Sequence, residues 1–138
     1  MNKNIYNISL LSNNEKIKFY INKKFFKLFI YNEEDFLNPK INIFFEKKNI
    51  NNIFIFKFNF IGVITLICDI TYNKFIFKIN KKKKLNIIFG KNKNEENDNY
   101  LILPFNYRKI NISQYIYESI MLMLPLKKID PKIKKIIY

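Results

Sequence analysis

The chain contains no histidine, only two glycines and only one cysteine among 138 residues, and each shortage removes a class of function. Without histidine, general-base chemistry near neutral pH loses its usual agent, and no pair of carboxylates has a spacing that suggests a catalytic cleft. Gly62 and Gly90 stand alone, so no glycine-rich phosphate cradle is present. The single thiol, Cys68, excludes an intramolecular disulfide and, with no histidine beside it, a structural zinc site. Long apolar runs are also missing. The longest uncharged stretch, residues 58–68, falls short of the ~18 residues that a membrane span requires. The opening MNKNIYNISLLSNNEK is interrupted by Asn7, Ser9 and Asn13 and lacks the apolar centre of a signal peptide. The expectation is a cytoplasmic, non-enzymatic protein with no cofactor, no metal and no membrane partner.

What the chain has in excess is positive charge: 25 basic against 11 acidic residues, a formal net charge of +14. That balance favours an anionic partner such as RNA or an anionic membrane surface. Every basic residue but Arg108 is lysine, however, and the chain is rich in Asn, Ile, Lys, Phe and Tyr, whose codons are AT-rich. Genomic drift produces the same bias, so clustered charge is more informative than total charge.

Hydrophobic periodicity predicts one domain over residues 1–138, of α+β class: a mostly antiparallel, strongly twisted sheet with a short N-terminal helix and one apolar C-terminal helix. Ile5 to Leu10 and Lys16 to Ile21 read as two strands of a hairpin around Ser12, Asn13 and Asn14. Lys23 to Tyr31 reads as a short helix, followed by the polar connection of Glu33, Glu34, Asp35 and Pro39. From Lys40 the period becomes two, with a turn at Asn49 to Asn52. In IFIFKFNF, Phe54, Phe56, Phe58 and Phe60 share one face, which should be core, while Lys57 guards the other against aggregation. Gly62 is expected at a bulge or bend. Val63 to Ile70 is apolar on both faces, as in a central strand, and Tyr72 and Asn73 reverse the chain. Phe75, Phe77 and Ile79 then run back, Lys81 to Lys84 reads as a hairpin tip, and Leu85 to Phe89 follows. An acidic loop with Glu95, Glu96 and Asp98 precedes a last strand, Tyr100 to Leu103.

The stretch NISQYIYESIMLMLP, Asn111 to Pro125, reads as a helix over residues 112–124, with Asn111 as N-cap, Gln114 reaching back and Pro125 as the stop. Its apolar surface exceeds a single stripe, which leaves Tyr117, Met121 and Leu124 as candidates for docking a protein partner.

The densest charge lies between Lys74 and Lys93, with no acid in that interval. Lys74, Lys78, Lys81, Lys82, Lys83 and Lys84, extended by Arg108, Lys127 and Lys128, are therefore the candidate phosphate contacts. The plainer account of the same run is a solvated turn. Tyr100, Phe105, Tyr107 and Tyr115 invite a base-stacking role, although most aromatics in so aromatic a chain must be core.

Several stretches carry a family likeness: INKKFFKLF, the strand into Cys68 and Asp69, LNIIFG with the acidic loop after it, LILPF, and INISQYIYESIMLMLPLKKIDP. Together they resemble the YceD family in its Bacteroidetes-like form, from an AT-rich genome such as that of an endosymbiont. The resemblance implies a bacterial ribosome-biogenesis factor, without enzymatic chemistry, needed for the synthesis, processing or stability of large-subunit ribosomal RNA. Its implied partner is that RNA or a pre-ribosomal particle, contacted directly or indirectly. Many relatives carry C-x-x-C where this chain has Cys68, Asp69, Ile70 and Thr71, so whatever the paired cysteines do is absent here. The alternative is a protein-interaction adaptor that docks through the 112–124 helix without touching RNA.

Overall fold

A computed structural model describes residues 3–11, 14–29, 36–51, 53–90 and 100–137. Its frame is three long strands, β3 (Leu37–Ile50), β4 (Ile53–Ile67) and β5 (Lys74–Phe89), extended by β2 (Glu15–Ile21) and β6 (Tyr100–Leu103) into a five-stranded sheet of order β2-β3-β4-β5-β6. The first three ladders are antiparallel and β5–β6 is parallel, so the sheet is mixed and the fold α+β. The two-residue alternation decides which face is buried. Phe54, Phe56, Phe58, Phe60, Ile64 and Leu66 of β4 are all buried, as are Ile41, Ile43 and Phe45 of β3. At ~2 kcal/mol or more for each fully buried large side chain, this face dominates the folding energy.

Turns fall where the residues tolerate a left-handed backbone. Asn51, φ 51°, connects β3 to β4, and Tyr72, φ 60°, lies in the reversal between β4 and β5. Asn38, φ 45°, sits in a register shift between Leu37 and Lys40 of β3. That irregularity explains Gly62. A side chain there would run into the Lys40 carbonyl and come within 2.6 Å of the Ile41 Cα, so glycine lets β4 pass close to the shifted strand. Gly62 itself keeps its pairing with Ile41, and the bulge expected at Gly62 is on the neighbouring strand instead.

Helices and two small strands cover the inner face. In α1 (Lys23–Phe26), capped by the Asn22 side chain on the Lys24 amide at 3.0 Å, Phe25 and Phe26 are buried. The helix α2 (Ser113–Met123) buries Ile116, Ser119 and Ile120, and its Tyr115 ring lies 5.0 Å from Phe58. It starts later than expected. Asn111 belongs to β7 (Lys109–Asn111), and its Oδ1 accepts from the Ser113 amide at 2.9 Å, one position upstream of a standard N-cap. Gln114 does not reach back but donates to Glu118 at 2.8 Å. Leu124 is extended, as the proline after it requires. A second helix near the C-terminus, α3 (Pro131–Ile137), accompanies α2, with Pro131 in its first position and the Asp130 side chain accepting from the Lys132 amide.

Two expectations fail on pairing. The strand β1 (Asn7–Ser9) does not form a hairpin with β2; it pairs with β7, while β2 pairs with β3. Side-chain pattern reports which face is buried but not which strand is the neighbour. Lys81 to Lys84 is not a hairpin tip either. All four lie inside β5, opposite Phe60, Asn59, Phe58 and Lys57, because β5 runs unbroken and its neighbour β4 supplies the ladder that the lysines need. The acidic loop with Glu95, Glu96 and Asp98, the connection at Glu33, Glu34 and Asp35, and Ser12 and Asn13 lie outside the described residues. Among the described residues no helix is long and apolar enough to cross a membrane.

Candidate nucleic-acid interface

The register of four strands lines up side chains on the outer face of the sheet. Lys16 of β2 stands opposite Glu46 of β3, Glu46 opposite Lys57 of β4, and Lys57 opposite Lys84 of β5. The next row along the strands is Lys18, Phe44, Asn59 and Lys82. Adjacent strands are ~4.8 Å apart and successive rows ~6.8 Å, so two rows form a compact cationic field. A trough of 620 Å³ runs between them, lined by Lys16, Lys18, Phe44, Glu46, Asn59 and Lys82 among others.

Phe44, 45% exposed on this outer face, has the Lys18 ammonium 5.5 Å from its ring centre. The amide oxygen of Asn59 is buried and accepts no hydrogen bond among the described residues. Glu46 is the acid in the trough. Its carboxyl is held below the usual range, first by the hydrogen bond from Lys48, at 3.0 Å, which is opposed by desolvation and aided by the charges of Lys48, Lys16 and Lys57. One carboxylate cannot offset the lysines around it, and Lys57 faces Lys84 directly, a pairing that costs stability unless an anion lies above it. The arrangement offers separated ammonium groups and an exposed ring on the surface of the sheet. It suits a flexible polyanion with flat bases.

The lysine run divides. Lys74, Lys78, Lys82 and Lys84 occupy the outer face of β5, whereas Lys81 and Lys83 alternate onto the side that carries Phe60 and Phe58. Lys127 flanks a different groove, beside Phe75 to Lys78. Lys128 accepts at its carbonyl from the Asp69 amide and donates its own amide to the Asp69 carboxylate, and Arg108 is exposed ahead of β7, its carbonyl accepting from Leu10. Among the aromatic candidates, Phe105 and Tyr107 are exposed while Tyr115 is half-buried against Phe58. Of the docking candidates, Tyr117 stacks on Phe29 at 4.4 Å, and Met121 and Leu124 pack against the core; Leu122, 79% exposed, is the apolar residue that α2 turns outward.

Sequence pattern does not single out Lys16, Lys18, Phe44 and Asn59 as site residues, and it gives Lys57 only the place of a guard against aggregation. The signal was the alternation of lysines with apolar residues in EKIKFYI, but their meeting with β5 depends on strand order, which a single chain does not display.

The Cys68 neighbourhood is a separate locus. Cys68 is buried at the end of β4, and Sγ accepts from the Asp130 amide at 3.5 Å. That contact first, then the hydroxyl and amide of Thr71 and the amide of Ile70, hold the thiol down at about 7 against burial. Among the described residues no three Cys, Asp or Glu side chains gather as metal ligands. No protein-family model, curated protein or solved structure matches the chain.

Proposed function

We propose that this protein is a cytoplasmic, non-enzymatic RNA-binding factor of ribosome biogenesis, which supports the accumulation of large-subunit ribosomal RNA by holding a single-stranded segment on the outer face of its sheet. The observation that carries the reading is the pair of cross-strand rows, Lys16, Glu46, Lys57, Lys84 and Lys18, Phe44, Asn59, Lys82. Lysines from three strands contact the sugar-phosphate chain, and Phe44 receives a base. The resemblance to the YceD family supports the ribosomal assignment and the absence of catalysis.

The test uses purified protein and a fluorescent uridylate oligonucleotide. Lys57→Glu with Lys84→Glu weakens binding strongly without abolishing it, and Phe44→Ala weakens it by about tenfold. In a host that depends on the protein, the same double charge reversal lowers mature large-subunit RNA and changes its precursors. Unchanged RNA levels with the folded variant would sink the role. The adaptor reading retains one favourable observation, the outward Leu122 and the fully exposed Leu126. It predicts that Leu122→Glu, and not Lys57→Glu, disrupts function, with little response to salt.

A further inference from the structure

The sheet is open along part of β5. The strand β6 pairs only with its last residues, Asn86 to Phe89, so residues 74–85 pair with β4 on one side and, among the described residues, with no backbone on the other. Such an edge presents alternating amide and carbonyl groups to solvent. Two further features share it. Residues 74–84 carry six lysines and no acid. At the other end of the edge, a groove of 800 Å³ separates Phe75 and Phe77 from Pro125, Ile129 and Pro131, and Ile76 is 56% exposed.

Lysines on an edge strand can serve simply to keep it bare, but that purpose does not explain the apolar groove beside it. The geometry points to strand addition: the edge of β5 takes an extended acidic peptide from a protein partner, its backbone pairing along 76–84, its carboxylates beside the lysines and an apolar residue in the groove. A second copy of this chain is disfavoured, because pairing two such edges would set lysine against lysine on both faces. RNA satisfies the ammonium groups but lacks the alternating backbone donors and acceptors that an open strand matches. The site shares Lys82 and Lys84 with the outer trough, but the trough's β2 and β3 residues take no part in it.

The probe is a capped synthetic peptide of alternating glutamate and valine, with two derivatives N-methylated at odd or at even positions. Full-length protein binds the parent peptide, and the backbone amides of 76–84 become slower to exchange. One methylated derivative, whose blocked amides face β5, binds about tenfold more weakly, while the other binds like the parent. Lys78→Glu with Lys81→Glu weakens the peptide. Lys16→Glu with Lys18→Glu removes the oligonucleotide and leaves the peptide bound, so failure of the edge and failure of the trough are told apart. Equal binding of both methylated peptides, equal binding of a scrambled peptide, or peptide binding without exchange protection in 76–84 would overturn strand addition. The last two results would reduce the contact to charge alone.

Discussion

Lys47 occupies an inward position of β3, in line with Ile41, Ile43 and Phe45, and is fully buried. Its ammonium donates to the Ser9 carbonyl at 2.5 Å and lies 3.3 Å from Glu15, its cross-strand neighbour on β2, so it ties β1 to the β2–β3 ladder, with which β1 does not pair. Removing it leaves a part-buried carbonyl without that donor and a void where the stem lay. Lys47→Ala is expected to lower the unfolding free energy by about 3 kcal/mol in a urea titration, and Lys47→Met by less, because methionine keeps the packing of the stem. Cys68 gives a second residue-scale test. Its thiol is held at about 7 against an ordinary 9.0, with the Asp130 amide the leading cause. Between those values the folded chain has released a proton that the unfolded chain still binds, so this contribution grows as pH rises from 7 to 9 and is lost as pH falls through 7. The chain has no histidine to blur the window. Unfolding midpoints measured across it should rise for the parent and respond less for Cys68→Ala.

At the scale of elements, α2 separates packing from exposure. Ile116 is fully buried and Leu122 is 79% exposed, six residues further along the same helix. Ile116→Ala should cost about 3 kcal/mol in denaturant, whereas Leu122→Ser should stay within about 0.5 kcal/mol. That helix was readable in the sequence because its signals are local: the asparagine before it, the proline after it and apolar residues at helical spacing. The β3–β4 hairpin was readable for the same reason, with Asn51 at the turn and phenylalanines alternating on either side. What was not readable depended on partners distant in the chain. Lysines 81–84 have the composition of a turn, and only the ladder to residues 57–60 makes them strand. The apolar alternation around Ile8 fits a hairpin with β2 as well as it fits the observed pairing with β7, about a hundred residues away. The trough was lost by the same route, since its residues come from four strands whose order the sequence did not reveal.

For the whole molecule, a net charge of +14 attracts any polyanion, so binding by itself does not distinguish a site from a general field. Salt dependence does. If the lysines of the trough, Lys16, Lys18, Lys57, Lys82 and Lys84, each displace a counterion from a single-stranded oligonucleotide, the plot of log affinity against log salt has a slope of about −3.5. Lys57→Glu with Lys84→Glu removes two of those contacts, and the slope should flatten to about −2. The control carries the same change in net charge elsewhere: Lys23→Glu with Lys24→Glu, on the exposed residues of α1. That variant should weaken binding slightly through the long-range field and keep the parent slope, because it alters no group within the trough. Equal slopes for the two variants, measured by fluorescence anisotropy from low to physiological salt, would mean that RNA responds to total lysine content, the product of AT-rich codons, and that the cross-strand rows carry no binding role. A flatter slope confined to the β4–β5 variant assigns the ion release to the outer face of the sheet.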